Sequence, residues 1–418
     1  MLKNYLKITL AVFRRRKFFT FVNLFGITFT LAILLVGVTI LDNLFGAIPP
    51  EVHQDRTLCI YRVNTLFERD DGSYGGGSSG ASSYNLLDKY MPNLPGVEKT
   101  AVVDFPWKIL SYANNQRIES FLKHTDANFW EIMEFDFIEG RPFSHDEYDN
   151  ADFVAVINES TREKFFGSDS AYGKQINANG QHYRVTGVVK DVPFQRMTPF
   201  ADIWIPLSLE KDLVKFNEYT GFYTGIILAK DKKYFPQIRE EFVSRIETID
   251  LEGTKVGKVI AIPETMFEMA SRMIFNMGKS EESSTFGLLL VIIVLSVLFM
   301  VLPTVNMVNL NISRIMERAG EIGVRKAFGA PSLTLVGQFI TESILLSLAG
   351  GALSLLIGFT LLQIISVSDW IPYAQFSINF RIFFYALIIT LFFGVFSGVY
   401  PAWRMSRMHP VDALRGGV

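Results

Sequence analysis

Charged residues are spread so unevenly along this chain that four stretches carry none. Residues 18–41, 283–313, 343–368 and 382–403 contain no Asp, Glu, Lys or Arg. Each is long enough to cross roughly 30 Å of hydrocarbon as a helix, which takes about 20 residues. Between Asp42 and Glu282 no run approaches that length, and the pattern changes to short mixed elements. DFVAVIN (152–158), QHYRVTGVV (181–189), ADIWIPL (201–207) and RTLCIYRVN read as strands, whereas STREKFFG and YFPQIREEFVSRIETI have helical spacing. Their irregular alternation predicts an α+β domain in two lobes. GSYGGGSSGASS at 72–83 has nothing to bury and reads as a flexible loop. Later, ETMFEMASRMIFNMGKSEESS keeps helical spacing and predicts a stalk leading into the second span, where Pro303 is expected to kink the helix.

The fold expected is therefore an α-helical membrane protein with four transmembrane helices and an α+β extracytoplasmic domain between the first and second. Basic residues set its orientation, because they concentrate in cytoplasmic flanks. Lys3, Lys7, Arg14, Arg15, Arg16 and Lys17 precede the first span with no acid among them. Arg314, Arg318, Arg325 and Lys326 follow the second span, and Arg404, Arg407 and Arg415 follow the fourth. The boundaries read as a cytoplasmic amphipathic segment at 1–17, spans at 18–41, 285–313, 333–368 and 382–403, and an extracytoplasmic domain with stalk at 42–284. A cytoplasmic connection at 314–332, an external loop at 369–381 and a cytoplasmic tail at 404–418 complete the chain. Segment 1–17 serves equally well as a surface helix or as a positive anchor.

Composition sharpens this picture. The 418 residues are 49% hydrophobic with mean hydropathy +0.24, high for a soluble chain. Residues 42–284 hold 26 Lys+Arg against 37 Asp+Glu, a net charge of −11 that argues against nucleic acid as a partner. The single cysteine, Cys59, excludes an internal disulfide. Catalytic signals are lacking. In GTKVGKV (253–259) the glycines are one residue too close for a phosphate loop and Val259 stands where Ser or Thr is required. The five histidines are isolated, without metal-ligand spacing. No catalytic residue, cofactor or metal is expected.

The cytoplasmic connection RIMERAGEIGVRKAFGAPS (314–332) is short and helical in composition, with Glu321 and Arg325 four apart and a breaker at Gly329 and Pro331. Ile315, Ala319, Ile322 and Phe328 leave an apolar face able to lie in a groove of another protein or on the membrane surface. Glu342 opens the third span. That span is long enough for Glu342 to sit at the cytoplasmic interface, the favoured reading over a buried acid. Gly350, Ser354 and Gly358 in the third span, and Gly394 and Gly398 in the fourth, form small-residue faces for close helix packing.

EIGVRKAFGA followed by QFITESILLSLAGG resembles the signature of the MacB/FtsX family of ABC transporter permeases, and YPAWRMSRMHPVDALR is similar to that family's C-terminal motif. DANFWEIMEFDFIEGRPFS (126–144) and INESTREKFFGSDSAYGKQINANGQHYRVTGVVKDVP (157–193) resemble its periplasmic core domain, and VNLFGITFTLAI with HQDRTLCIYRV fits the N-terminal part. The resemblance implies a dimerising permease subunit of the bacterial inner membrane that binds a separate ABC ATPase subunit. Segment 317–330 would be the coupling helix, with Glu317, Glu321, Ile322, Gly323, Arg325, Lys326 and Gly329 matching the motif. It implies as partners a second permease copy or paralogue, membrane lipid, and a periplasmic adaptor or other envelope protein. ATP hydrolysis by the partner would move the periplasmic domain for export, efflux or lipoprotein release. The reading from another class is a membrane sensor or scaffold whose external domain binds a ligand.

A topology test follows from the basic-residue bias. In a background without Cys59, a cysteine at Ser79 is expected to react with an impermeant thiol reagent in intact cells. One at Ala319 is expected to react only after permeabilisation, and equal labelling of both would overturn the arrangement.

Overall fold

The computed structural model describes residues 17–317 and 332–368, except 70, 114–115, 211–218 and 276–284, with scattered positions in 9–15 and 373–395. Segment 1–17, the coupling segment beyond Glu317, most of the fourth span and the tail therefore lie outside the described residues. The chain divides into two compact units. One combines residues up to 42 with 289–368 and 376–418; the other combines 43–288 with 369–375.

The first unit is helical. Lys17–Phe45 and Ile340–Val367, the latter within the longer helix Ser332–Val367, have mean hydropathies of 2.5 and 2.1. Among the described residues these two are long and apolar enough to cross a membrane. Thr285–Glu317 is a third long helix, apolar over Thr285–Phe299. Unbroken helices suit this composition because every internal N–H and C=O is paired within the segment.

The second unit is built on a mixed sheet of 14 strands. Its main path runs Val256–Ala261, Val63–Phe67, Ser78–Ser82, Tyr223–Ala229, Val97–Asp104, Gln116–Thr125, Ile203–Pro206, Val154–Asn158, Gln181–Val189 and Phe137–Gly140. Pairing is antiparallel except between Ile203–Pro206 and Gln116–Thr125 and between Gln181–Val189 and Val154–Asn158. Val154–Asn158 is buried at all five positions, as expected of a strand covered on both faces. Local signals start the helices: Ser144 with Glu147 and Thr265 with Glu268 form reciprocal capping boxes, and Ser83 and Asn158 cap Tyr84–Tyr90 and Glu159–Phe166.

Three hydrophobic clusters lie along the sheet. One sequence expectation changes, in the second half of the supposed loop 72–83. Ser78–Ser82 is a strand pairing with Val63–Phe67 on one side and with Tyr223 on the other. Small side chains make this possible. Gly77 has φ +130°, and a Cβ there would run into the carbonyl oxygen of Thr65. Composition signalled flexibility, but the same small residues permit a close backbone approach at Thr65. The helix of the expected stalk is observed over Met266–Ile274, and its continuation falls outside the described residues.

The chain leaving the first helix is held by one side chain. Lys17–Phe45 has no basic residue in its last turn, although cations there offset the helix dipole and bond the free carbonyls. Arg196 supplies that cation from far along the sequence. Its Nε donates to the Asn43 carbonyl at 3.1 Å, Nη2 to Gly46 at 2.8 Å, and Nη1 to Ile48 at 3.4 Å and to the Glu51 carboxylate at 2.8 Å. Arg196 is 1% and Glu51 8% exposed. Burial pushes the Glu51 carboxyl upward, against the charge and hydrogen bond of Arg196.

Removing one partner of such a buried pair leaves the other uncompensated, which costs about 3–5 kcal/mol. Arg196→Met is therefore expected to lower the thermal midpoint of the purified protein by several degrees. Adding Glu51→Gln should recover part of the loss. A single variant as stable as the parent in calorimetry would show that the clamp contributes nothing.

Candidate functional site

Beside the clamp lies a cavity of about 260 Å³. Met266, Met269 and Met273, spaced at three and four residues on the helix Met266–Ile274, form one wall. Tyr61, Met197, Val103, Phe105 and Thr224 contribute from strands and loops, and Phe105 and Met273 remain exposed at its rim. The thioethers give the wall an adaptable surface, because methionine is unbranched and polarisable.

Apart from Arg62, the charged groups around the cavity are already engaged. Arg272 and Glu264, both buried, form an ion pair with Nε 2.8 Å from the carboxylate. Lys123, 1% exposed, donates to the carbonyls of Met197 and Thr198 at 2.7 and 2.6 Å. Burial brings its ammonium down to about 7, against the attraction of Asp104 and Glu51. Asp104, 3% exposed, accepts from the His124 backbone at 2.8 Å and from Trp107 Nε1 at 3.0 Å, and meets His124 Nδ1 at 2.6 Å. Burial disfavours the His124 imidazolium, but the hydrogen bond and charge of Asp104 outweigh it and raise its pKa. Burial also pushes the Cys59 thiol up to about 12, so it is no nucleophile.

Asp104, His124 and Glu210 each place a ligand atom within 4.8 Å of the others, a set that by residue type could hold a cation. Sequence spacing did not reveal this set, because strand pairing assembles it from three distant places. Hydrogen bonds already occupy it, including that from Tyr223 to Glu210 at 3.0 Å. Lys123 and Arg196 were missed as well. Their only sequence signal is a lysine after the apolar pair Phe121 and Leu122 in SFLKHT and a lone arginine in VPFQRM. The methionine stripe is legible in the sequence, but not what it faces.

In the helical unit the third-span residues Gly350, Ser354 and Gly358 face the first helix or are buried. A Cβ on Gly350 would lie 2.5 Å from Ile27, and one on Gly358 2.6 Å from Leu35. Thr28 donates to the Gly350 carbonyl at 3.4 Å, and Ser354 is fully buried. Partners advance by eight residues on each helix, so the two helices run parallel. Ser343 and Ser347, buried at 3% and 0%, continue the seam. Glu342, expected at an interface, is 3% exposed within this packing. Glu317 ends the helix Thr285–Glu317, whereas Glu321, Ile322, Gly323, Arg325, Lys326, Gly329, Gly394 and Gly398 lie outside the described residues.

The sequence profile described as MacB-like periplasmic core domain matches residues 20–244, and that described as FtsX-like permease C-terminal matches 293–410. The macrolide export ATP-binding/permease protein MacB of Pasteurella multocida is 26% identical over 78% of this chain and 47% of its own length. This chain thus spans about half of that relative. The uncharacterized ABC transporter permease YvrN of Bacillus subtilis is 24% identical over 69% of this chain and 68% of its own. The crystal structure of the periplasmic region of MacB from Actinobacillus actinomycetemcomitans aligns at 14% identity and a TM-score of 0.34, covering 53% of this chain and 94% of that one.

Lys123 gives the site a pH signature. Its folded pKa lies near 7 and its ordinary value is 10.5, so between them the unfolded chain holds a proton that the folded one has shed. Stability from this group therefore rises with pH across that window and is level below it. Lys123→Met is expected to flatten the rise in unfolding midpoint from pH 7 to 10. An unchanged slope in that variant would mean that other groups produce it.

Proposed function

The chain belongs to the MacB/FtsX family of ABC transporter permeases, and from that premise we propose that it transmits ATP-driven motion from a separate ABC ATPase subunit to its periplasmic domain. In this reading both termini are cytoplasmic, the four spans lie at 18–41, 285–313, 333–368 and 382–403, and the domain at 42–284 projects into the periplasm. Nucleotide hydrolysis is assigned to the partner because GTKVGKV departs from a phosphate loop. Segment 317–330 docks on that ATPase, and a second permease copy or paralogue completes the dimer. The motion serves export, efflux or lipoprotein release. The printed name of the Pasteurella relative, macrolide export, places small-molecule export within that range.

One observation carries the reading. The first and third helices pack in parallel through Gly350 and Gly358, and the segments that follow both helices are fastened to the same domain. Arg196 holds residues 43–51. Beyond the third helix, Tyr373 donates to Asp202 at 2.7 Å. Asp202 also accepts from the Phe121 backbone at 2.7 Å and from Asn158 at 3.0 Å, so the attachment reaches the central strands. In this reading the segments held by Arg196 and Asp202 pass a displacement onward, which free linkers would absorb.

The test is at the proposed coupling helix. An unpaired charge buried at an interface costs several kcal/mol, whereas an exposed polar change costs little. Glu321→Lys and Gly323→Glu are expected to abolish co-purification of the ATPase and to reduce permease-stimulated ATP turnover, with the thermal midpoint of the permease unchanged. If both variants keep the partner and wild-type turnover, the segment is only a connector and the sensor or scaffold reading takes its place.

A further inference from the structure

We propose that the methionine-lined cavity of the periplasmic domain is a binding site for a single unbranched alkyl chain. Its volume of about 260 Å³ lies at the low end of the roughly 300–1,000 Å³ of pockets that enclose drug-sized ligands, room for one chain rather than a large ligand. The wall is apolar and adaptable: Met197, Met266, Met269 and Met273 can follow a flexible chain as it turns. Apart from Arg62, the charged groups at the margin are paired inside the protein. Arg272 is bonded to Glu264, Lys123 to two carbonyls, and Asp104 to His124 and Trp107. A ligand with a polar body would have to break those bonds, whereas an alkyl chain needs none of them.

The entrance fits the same occupant. Met273 is 63% and Phe105 36% exposed at the rim, and Ile274 and Phe275 continue an exposed apolar surface beyond Met273. Both connections to the membrane spans adjoin the cavity in sequence. Met197 follows Arg196, which grips the chain leaving the first span, and Met266–Ile274 precedes the helix that starts at Thr285. Phe45, the last residue of the first helix, packs on Phe267 with ring centroids 5.2 Å apart. An alkyl chain, from a membrane lipid or from a lipid-modified protein, is the ligand available at such a place. The inference draws on the membrane reading above for this source and is independent of ATPase coupling.

The experiment uses the full-length protein in lipid nanodiscs, free of detergent, with no ATP and no partner. In one arm the disc contains phosphatidylglycerol with a diazirine in one acyl chain. In the other a peptide carrying a diazirine-palmitoyl group is added from water. After irradiation, adducts mapped by mass spectrometry are expected on the peptides that hold Met197 and Met266–Met273 in at least one arm, and the arm that labels identifies the source. Met269→Trp, which fills the cavity, should reduce these adducts about tenfold, whereas Met269→Leu, close in volume, should retain them. Independently of any substitution, excess dodecanoate should displace the probe and a rigid polycyclic of similar hydrophobicity should not. Adducts confined to the spans in both arms, labelling insensitive to Met269→Trp, or equal displacement by the polycyclic would overturn the proposal. Because neither arm involves ATP, each of those failures would leave the coupling reading standing.

Discussion

A guanidinium with almost no access to water organises the segment 43–51 that follows the first span. Every α-helix ends with carbonyls that lack partners inside the helix, and the first helix here has no cation of its own to meet them. Arg196 meets one of them, that of Asn43, from a distant loop and also holds the carbonyls of Gly46 and Ile48 beyond the helix, and Glu51 balances its charge. A planar guanidinium with five fixed donors can hold three carbonyls and a carboxylate at once, which a lysine could not. Such a pair is costly to desolvate and adds little net stability. Its contribution is geometric: residues 43–51 are held in one arrangement around Arg196.

The residues next to the clamp inherit its constraints. Lys123 is held by the carbonyls of Met197 and Thr198, and it senses Glu51 as well as Asp104. The cavity wall formed by Met197 is thereby tied to the segment Arg196 grips. On the opposite wall the Arg272–Glu264 pair fixes the methionine helix, and Glu264 is further held through backbone bonds with Cys59 at 2.8 Å. The cavity thus has an apolar, adaptable lining set in a stiff polar frame.

The helical unit follows another rule. Helices in lipid gain little from burying apolar surface and associate through close packing. The seam from Ser343 through Gly358 allows that approach, and a Cβ at Gly350 or Gly358 would collide with Ile27 or Leu35. Parallel packing of the first and third helices sends both chains toward the same end of the helical unit, and residues 43–288 and 369–375 belong to the other unit.

The sequence by itself determined the elements whose signal is local. Charge-free runs gave the helices Lys17–Phe45 and Thr285–Glu317 to within a few residues, since the hydrocarbon cost of a charge is read one position at a time. Strand-rich composition gave Gln181–Val189 and Val154–Asn158, and helical spacing gave Phe235–Glu247. The family was legible too, because its motifs are contiguous. What only the tertiary structure decided is what depends on pairing between distant positions. The Gly/Ser segment reads as a spacer, yet Ser78–Ser82 joins the sheet, because what matters there is how close Thr65 and Tyr223 come. Asp104, His124 and Glu210 carry no spacing signal because three separate parts of the chain bring them together. The partners of Arg196 and Lys123 are backbone carbonyls, which every residue possesses, so no pattern of side chains could have announced them.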